Sequence, residues 1–159
     1  MQSHKRASHK KVTKNNSNKL YLFFGIALLV IILDQITKGV VVRYIQNRIP
    51  VISDVLFMSQ IRNTGAGFGL FQGTNQLMVF LSLCVIGVIL FFYGQLPDRR
   101  SIQVSVALIL GGGIANLVDR IRLGYVIDFI DFRFWPAFNL ADTAITLGVI
   151  GFIVLSWKE

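Results

Sequence analysis

The sequence has few of the side chains on which most soluble enzymes rely. Its 159 residues include one cysteine, Cys84, two histidines, His4 and His9, and a single glutamate, the terminal Glu159. A lone cysteine excludes an intrachain disulfide, and it has no partner at metal-ligand spacing. It sits within an apolar run and is read as a small packing residue. Both histidines fall in a polar segment at the start of the chain. They are read as part of a solvated tail and not as a metal site, and their position argues against a Ser–His–acid triad. Charge is scarce as well: 15% of residues are charged, against 53% hydrophobic, and the mean hydropathy is +0.61. An average soluble domain carries about 25% charged residues. No internal repeat is visible, and the space between the apolar runs leaves no room for a large soluble domain.

Four stretches are long and apolar enough to cross a bilayer, for which roughly 17–25 residues are needed. They run over Leu20–Val42, Leu77–Gly94, Ile102–Val118 and Leu140–Trp157. The expected fold class is an all-α membrane protein with four transmembrane helices, forming one domain over residues 20–159. The net charge of +8 is concentrated ahead of it, in Lys5, Arg6, Lys10, Lys11, Lys14 and Lys19. That segment, residues 1–19, reads as a basic disordered tail. Its basic residues are each worth about 1 kcal/mol near anionic lipid, which points to membrane lipid and not to nucleic acid. No small-x-small cleavage site follows the first apolar run, so it is read as a retained span and not as a signal peptide.

The positive-inside rule sets an expected topology in the cell inner (plasma) membrane. The N-terminus, the connector Gln95–Arg100 and the C-terminus face the cytoplasm, and segments 43–76 and 119–139 face outward. The first outer segment contains a β-branched, partly alternating run, Ile49–Met58, read as short strands. The glycine-dense run Asn63–Phe71 follows. Together they suggest a small extracytoplasmic β-rich cradle over about 43–76. The cradle is either an apolar platform at the membrane surface or a turn-rich hairpin covering helix ends.

Five aspartates lie in or beside apolar stretches: Asp34, Asp119, Asp128, Asp131 and Asp142. At the centre of a membrane helix such a residue costs roughly 2.5–3.5 kcal/mol, which makes each one a candidate for function. Asp34 and Lys38 are four apart and share a helix face. The expectation is an ion pair with Lys38 reaching outward toward the interface, and Asp34 bonding backbone amides of the glycine-rich run. Asn116, Asp119 and Arg120 also share one face, just after Gly111–Gly113, whose size lets a neighbouring helix approach. Asp119 and Arg120 are adjacent in sequence and are expected to take different partners. Asp128 stands in an apolar run, where burial raises a carboxyl pKa. Asp131, three further on, is expected to face water. Asn139 is a helix N-cap with Asp142 at the third helical position, close to a capping box. Asp128 and Asp142 are thus two carboxylates in unlike surroundings, as an acid–base pair needs. Two other classes fit membrane aspartates: a small ion or proton transporter using them as a relay, and a structural or lipid-binding protein. Against the relay, the acids cluster toward the outer ends of the spans.

Five motifs, in order and covering about residues 20–157, resemble the lipoprotein signal peptidases, also called signal peptidase II. They are Asp34-Gln35-Ile36-Thr37-Lys38, Asn63-Thr64-Gly65-Ala66-Gly67-Phe68-Gly69, Gly112 to Arg120, Gly124-Tyr125-Val126-Ile127-Asp128-Phe129 and Phe138-Asn139-Leu140-Ala141-Asp142. Ala115 stands where that family usually has glycine, and the connection from Asp128 to Asp142 is shorter than in many of its members. The resemblance implies four membrane helices, an outer cradle and an intramembrane aspartic endopeptidase without metal or cofactor. Its substrates are diacylglyceryl-modified prolipoproteins, cut before the lipidated cysteine, and the expected state is a monomer. By the same resemblance Asp128 and Asp142 are the catalytic pair. Asn63, Asn116, Arg120 and Asn139 line the site, and Asp34, Lys38 and Asp119 support it.

Overall fold

A computed structural model describes residues 2–66 and 70–157, with the backbone alone for residues 2–17. The element order is α1 (Gln2–Tyr44), β1 (Ile49–Ile52), β2 (Leu56–Asn63), α2 (Asn75–Phe92), a 3₁₀ turn (Tyr93–Gln95), α3 (Arg100–Leu123), β3 (Val126–Phe132) and α4 (Leu140–Ser156). Three helical stretches have the length and hydropathy of membrane spans: Asn18–Tyr44, Asn75–Gln95 and Arg100–Leu123. The apolar α4 is shorter, at 17 residues. The protein is a multi-pass membrane protein. The tail expected over residues 1–19 falls almost wholly on residues whose side chains lie outside the described ones.

α3 occupies the middle of the bundle and touches α1, α2 and α4. Small residues make that position possible. A Cβ on Gly112 would collide with the Ala141 carbonyl and the Ile145 side chain. One on Gly148 would lie 2.5 Å from the Ser105 carbonyl. α3 and α4 therefore pack at backbone contact, as small residues allow between membrane helices. Ala115 is fully buried at the same level and is accommodated.

α3 ends at Gly124, whose φ of 82° closes the helix in the left-handed conformation, with its amide donating to the Arg120 carbonyl at 3.1 Å. Glycine adopts that geometry without steric cost. The chain turns at once into β3, which pairs antiparallel with β2, and β2 pairs with β1. The cradle is thus a three-stranded sheet, β1-β2-β3. Its third strand comes from segment 119–139, beyond the cradle boundaries of about 43–76 read from the sequence. The pairing sets Ile61 opposite Asp128 and Asn63 opposite Val126. Phe138 then folds back onto β3, its carbonyl accepting from Phe129 and Ile130 at 3.1 and 2.9 Å. That return delivers the chain to Asn139 and the start of α4.

Candidate active site

The first turn of α4 leaves backbone amides without helical partners. Asn139 meets this need through a full capping box: its Oδ1 accepts from Asp142 N at 2.9 Å, and Asp142 Oδ2 accepts from Asn139 N at 3.2 Å. The Asn139 amide nitrogen, wholly buried, also donates to Asp128 Oδ1 at 2.7 Å. One residue therefore touches both carboxylates. The other oxygen of Asp128 accepts from Asn63 Nδ2 at 2.9 Å, and Asp142 Oδ1 accepts from Asn116 Nδ2 at 2.8 Å. Burial first, and then the negative charge of Asp142, push Asp128 up to about 6. The amides of Asn63 and Asn139 and the charge of Lys38 pull the other way.

A second polar layer lies beneath. Lys38 is 2% exposed and sits 2.7 Å from Asp34, 2.8 Å from Asp119 and 3.0 Å from Asn116 Oδ1. It does not reach outward to the interface as the sequence led us to expect. Turning outward would leave two buried carboxylates unpaired, a larger cost than any gain in hydration. Asp34 also departs from expectation. Its Oδ1 accepts from Ala141 N at 2.9 Å, in the first turn of α4, and not from the glycine-rich run. The open amides of a buried helix start supply the nearer donor. Asp119 joins this layer through Gln35 Nε2 at 2.8 Å and Ile127 N at 3.3 Å.

Arg120 takes separate partners from Asp119, as expected, and donates to the Gly65 carbonyl at 3.2 Å. Asn63 Oδ1 holds the Gly65 amide at 3.0 Å, so the start of the glycine-rich run is fastened from two sides. Phe68, expected to help form an apolar platform, lies outside the described residues. Asp131 is an odd number of residues from Asp128 and so points to the opposite face of the strand. There it meets Ser59 at 3.1 Å and Arg48 at 3.0 Å. Two contributors had no role assigned from sequence, Gln35 and Asn75. Asn75 donates to the Arg120 carbonyl at 3.2 Å. Gln35 stands between Asp34 and Lys38 in the first motif, a position that could have marked it. Asn75 opens α2 and carries no comparable signal.

Asn63, Asn116, Arg120, Asp128 and Asp142 line one cavity of about 560 Å³, walled on its apolar side by Phe138, Ile145 and Leu147. Among the described residues no three His, Cys, Asp or Glu side chains group as a metal site.

Residues 26–158 match the family described as signal peptidase (SPase) II. The chain belongs to the signal peptidase II family. It is 38% identical over 140 residues to the lipoprotein signal peptidase of Halothermothrix orenii, covering 87% of this chain and 97% of that one. It is 43% identical over 139 residues to that of Moorella thermoacetica, with 86% and 91% covered. Two solved bacterial membrane enzymes, each 30% identical, superpose with TM-scores of 0.77 and 0.75. They cover 86% of this chain, and 87% and 93% of theirs. In this signal peptidase II the polar cluster stands where α1, α3, α4 and β3 meet.

Proposed function

We propose that this chain is an aspartic endopeptidase that removes the signal peptide from diacylglyceryl-modified prolipoproteins, with Asp128 and Asp142 as its catalytic pair. The observation that carries this is Asn139, which bonds to both carboxylates at the wall of one cavity. In this reading the two aspartates share one proton and hold a water between them. The ionised carboxylate takes a proton from the water as it attacks the scissile carbonyl, and the protonated one donates toward the carbonyl oxygen. The pair titrates as a unit. Asn63, Asn116 and Asn139 fix the carboxylates, while Arg120 holds Gly65, at the start of the glycine-rich run, beside the cavity. Acyl chains of the substrate remain in lipid, where each buried methylene contributes about 0.8 kcal/mol to anchoring the precursor in the membrane. The chain acts as a monomer, with both termini in the cytoplasm, the cavity facing outward, and the basic tail of residues 1–19 dispensable for cleavage.

The test is cleavage of a lipid-modified precursor by purified variants with folding checked separately. Asp128→Asn and Asp142→Asn should each lower turnover by roughly 10³-fold or more, and the double variant should be no worse than either one. Asp131→Asn, on the opposite strand face, should stay near normal, and EDTA should leave the normal enzyme active. Near-normal turnover by either single variant would overturn the assignment.

A further inference from the structure

The end of the bundle remote from Asp128 and Asp142 holds a second cavity, of about 440 Å³. α3 starts there and runs about 36 Å, at 1.5 Å per residue, to the site. Lys19 at the foot of the α1 span, Tyr93 and Leu96 at the foot of α2, and Asp98 and Gln103 beside the α3 start form its wall. Lys19 and Asp98 are ion-paired across it, with side chains 20% and 66% exposed. Gln103 is 5% exposed, yet its Oε1 accepts from no group. A buried acceptor left open costs about 1–3 kcal/mol, so the amide points to a donor supplied from outside the chain. The α3 N-terminus beside it has no side-chain cap and no acid in its first turn.

The level in the membrane is marked by aromatics. Tyr21 and Trp157 are 73% and 86% exposed at this end, and Tyr93 packs on Phe23 at 4.5 Å. Amphipathic rings concentrate at the bilayer interface, and polar pockets between helices at that level take lipid headgroups. Leu20 and Phe24, both exposed, continue from the cavity toward the hydrocarbon.

We propose that this cavity binds the headgroup of an aminophospholipid. Lys19 meets the phosphate. The primary ammonium donates to the Asp98 carboxylate and to Gln103 Oε1. The headgroup presents the opposite sign to each member of the Lys19–Asp98 pair, so it can bridge them and fill the open acceptor. A choline headgroup carries the same charges but no N–H donor, and a glycerol headgroup has hydroxyl donors but no cation for Asp98.

The full chain, stripped of lipid in detergent, would be titrated with phosphatidylethanolamine, phosphatidylcholine and phosphatidylglycerol of identical acyl chains and read by native mass spectrometry. Phosphatidylethanolamine should bind about tenfold more tightly than either of the others, the effect of one charge-assisted hydrogen bond. Gln103→Leu should remove that preference. Asp98→Asn, at an exposed position that does not threaten folding, should remove it too, and both variants should keep normal precursor cleavage in detergent. Glycerophosphoethanolamine, lacking acyl chains, should not compete at equal concentration. Equal affinity for the three lipids, a preference that survives Asp98→Asn, or competition by the soluble headgroup would overturn the proposal.

Discussion

α2 and α3 are membrane helices of similar length that do opposite work. The apolar stretch of α2 has a mean hydropathy of 2.6 and is 6% buried; that of α3 has 1.7 and is 61% buried. The more apolar helix faces lipid, and the less apolar one is enclosed by protein. In a bilayer, lipid tails are as apolar as leucine, so hydrophobicity does not draw helices together. What α3 offers its neighbours is close approach at Gly112 and hydrogen-bonding groups at Asn116, Asp119 and Arg120. α2 offers Leu83, Val85, Val88 and Phe91 to the hydrocarbon, all exposed in the protein. Polarity inside a span therefore marks the helix that carries the site.

Four changes would break or sharpen that contrast. Lys38→Met should have the largest effect, because it leaves Asp34 and Asp119 buried against α3 without their cation. A loss of about 3–5 kcal/mol is expected, read as a lower unfolding temperature or failure to purify folded protein. Gly112→Val comes next. Its added carbons meet the Ala141 backbone and push α4, with Asp142, away from α3. Cleavage should fall about 100-fold, as expected for a displacement of about 1 Å in a catalytic group, with a smaller loss of stability.

Asn63→Leu should change the pH profile more than the maximum rate. In the proposed mechanism, a reaction that needs one proton shared by the pair should decline as pH rises past about 6, the value to which Asp128 is pushed. The Asn63 amide favours the charged form and lowers that value. Without it the alkaline limb should move to higher pH, by about one unit, for about 1.4 kcal/mol of lost interaction. A limb that moves to lower pH would contradict the assignment. Folding is linked to the same proton. Asp128 rises from an ordinary 3.8 to about 6, so the folded chain retains a proton that the unfolded chain releases in that interval. The stability this group contributes is full below 3.8 and is lost as pH rises through about 6. The smallest effect is expected on α2: Val88→Leu should alter cleavage and stability by less than about 0.5 kcal/mol. A large loss there would mean that α2 is not the lipid-facing partner of α3.

The spans could be read from the sequence because apolar length is a local property. The Asn139–Asp142 cap was legible for the same reason, since its two residues are three positions apart. β3 was not, because Val126–Phe132 is a short apolar run that only its pairing with β2 defines as a strand, and that pairing joins residues more than sixty apart. The fates of Asp34 and Lys38 were hidden for a related reason. Their i,i+4 spacing predicted the ion pair, which is present at 2.7 Å. It could not predict that Asp119, Asn116 and the Ala141 amide would close around it, since those groups lie 78–107 positions away. The motifs that resembled a family named the participants, and the fold supplied the partners.

Asn139 gives the molecule a built-in order of events. The residue that starts the last helix is also the one that joins Asp128 to Asp142, so helix and site come into being together. A chain emerging from the ribosome carries Asp34, Asn63, Asn116 and Asp128 well before α4 is complete. Until α4 forms, the Asn139 amide is not held in place and Asp142 has no fixed position. If Asp128 and Asp142 are the catalytic pair proposed above, a half-inserted chain is a disarmed one, because the bonds from Asn139 to both carboxylates form only with α4.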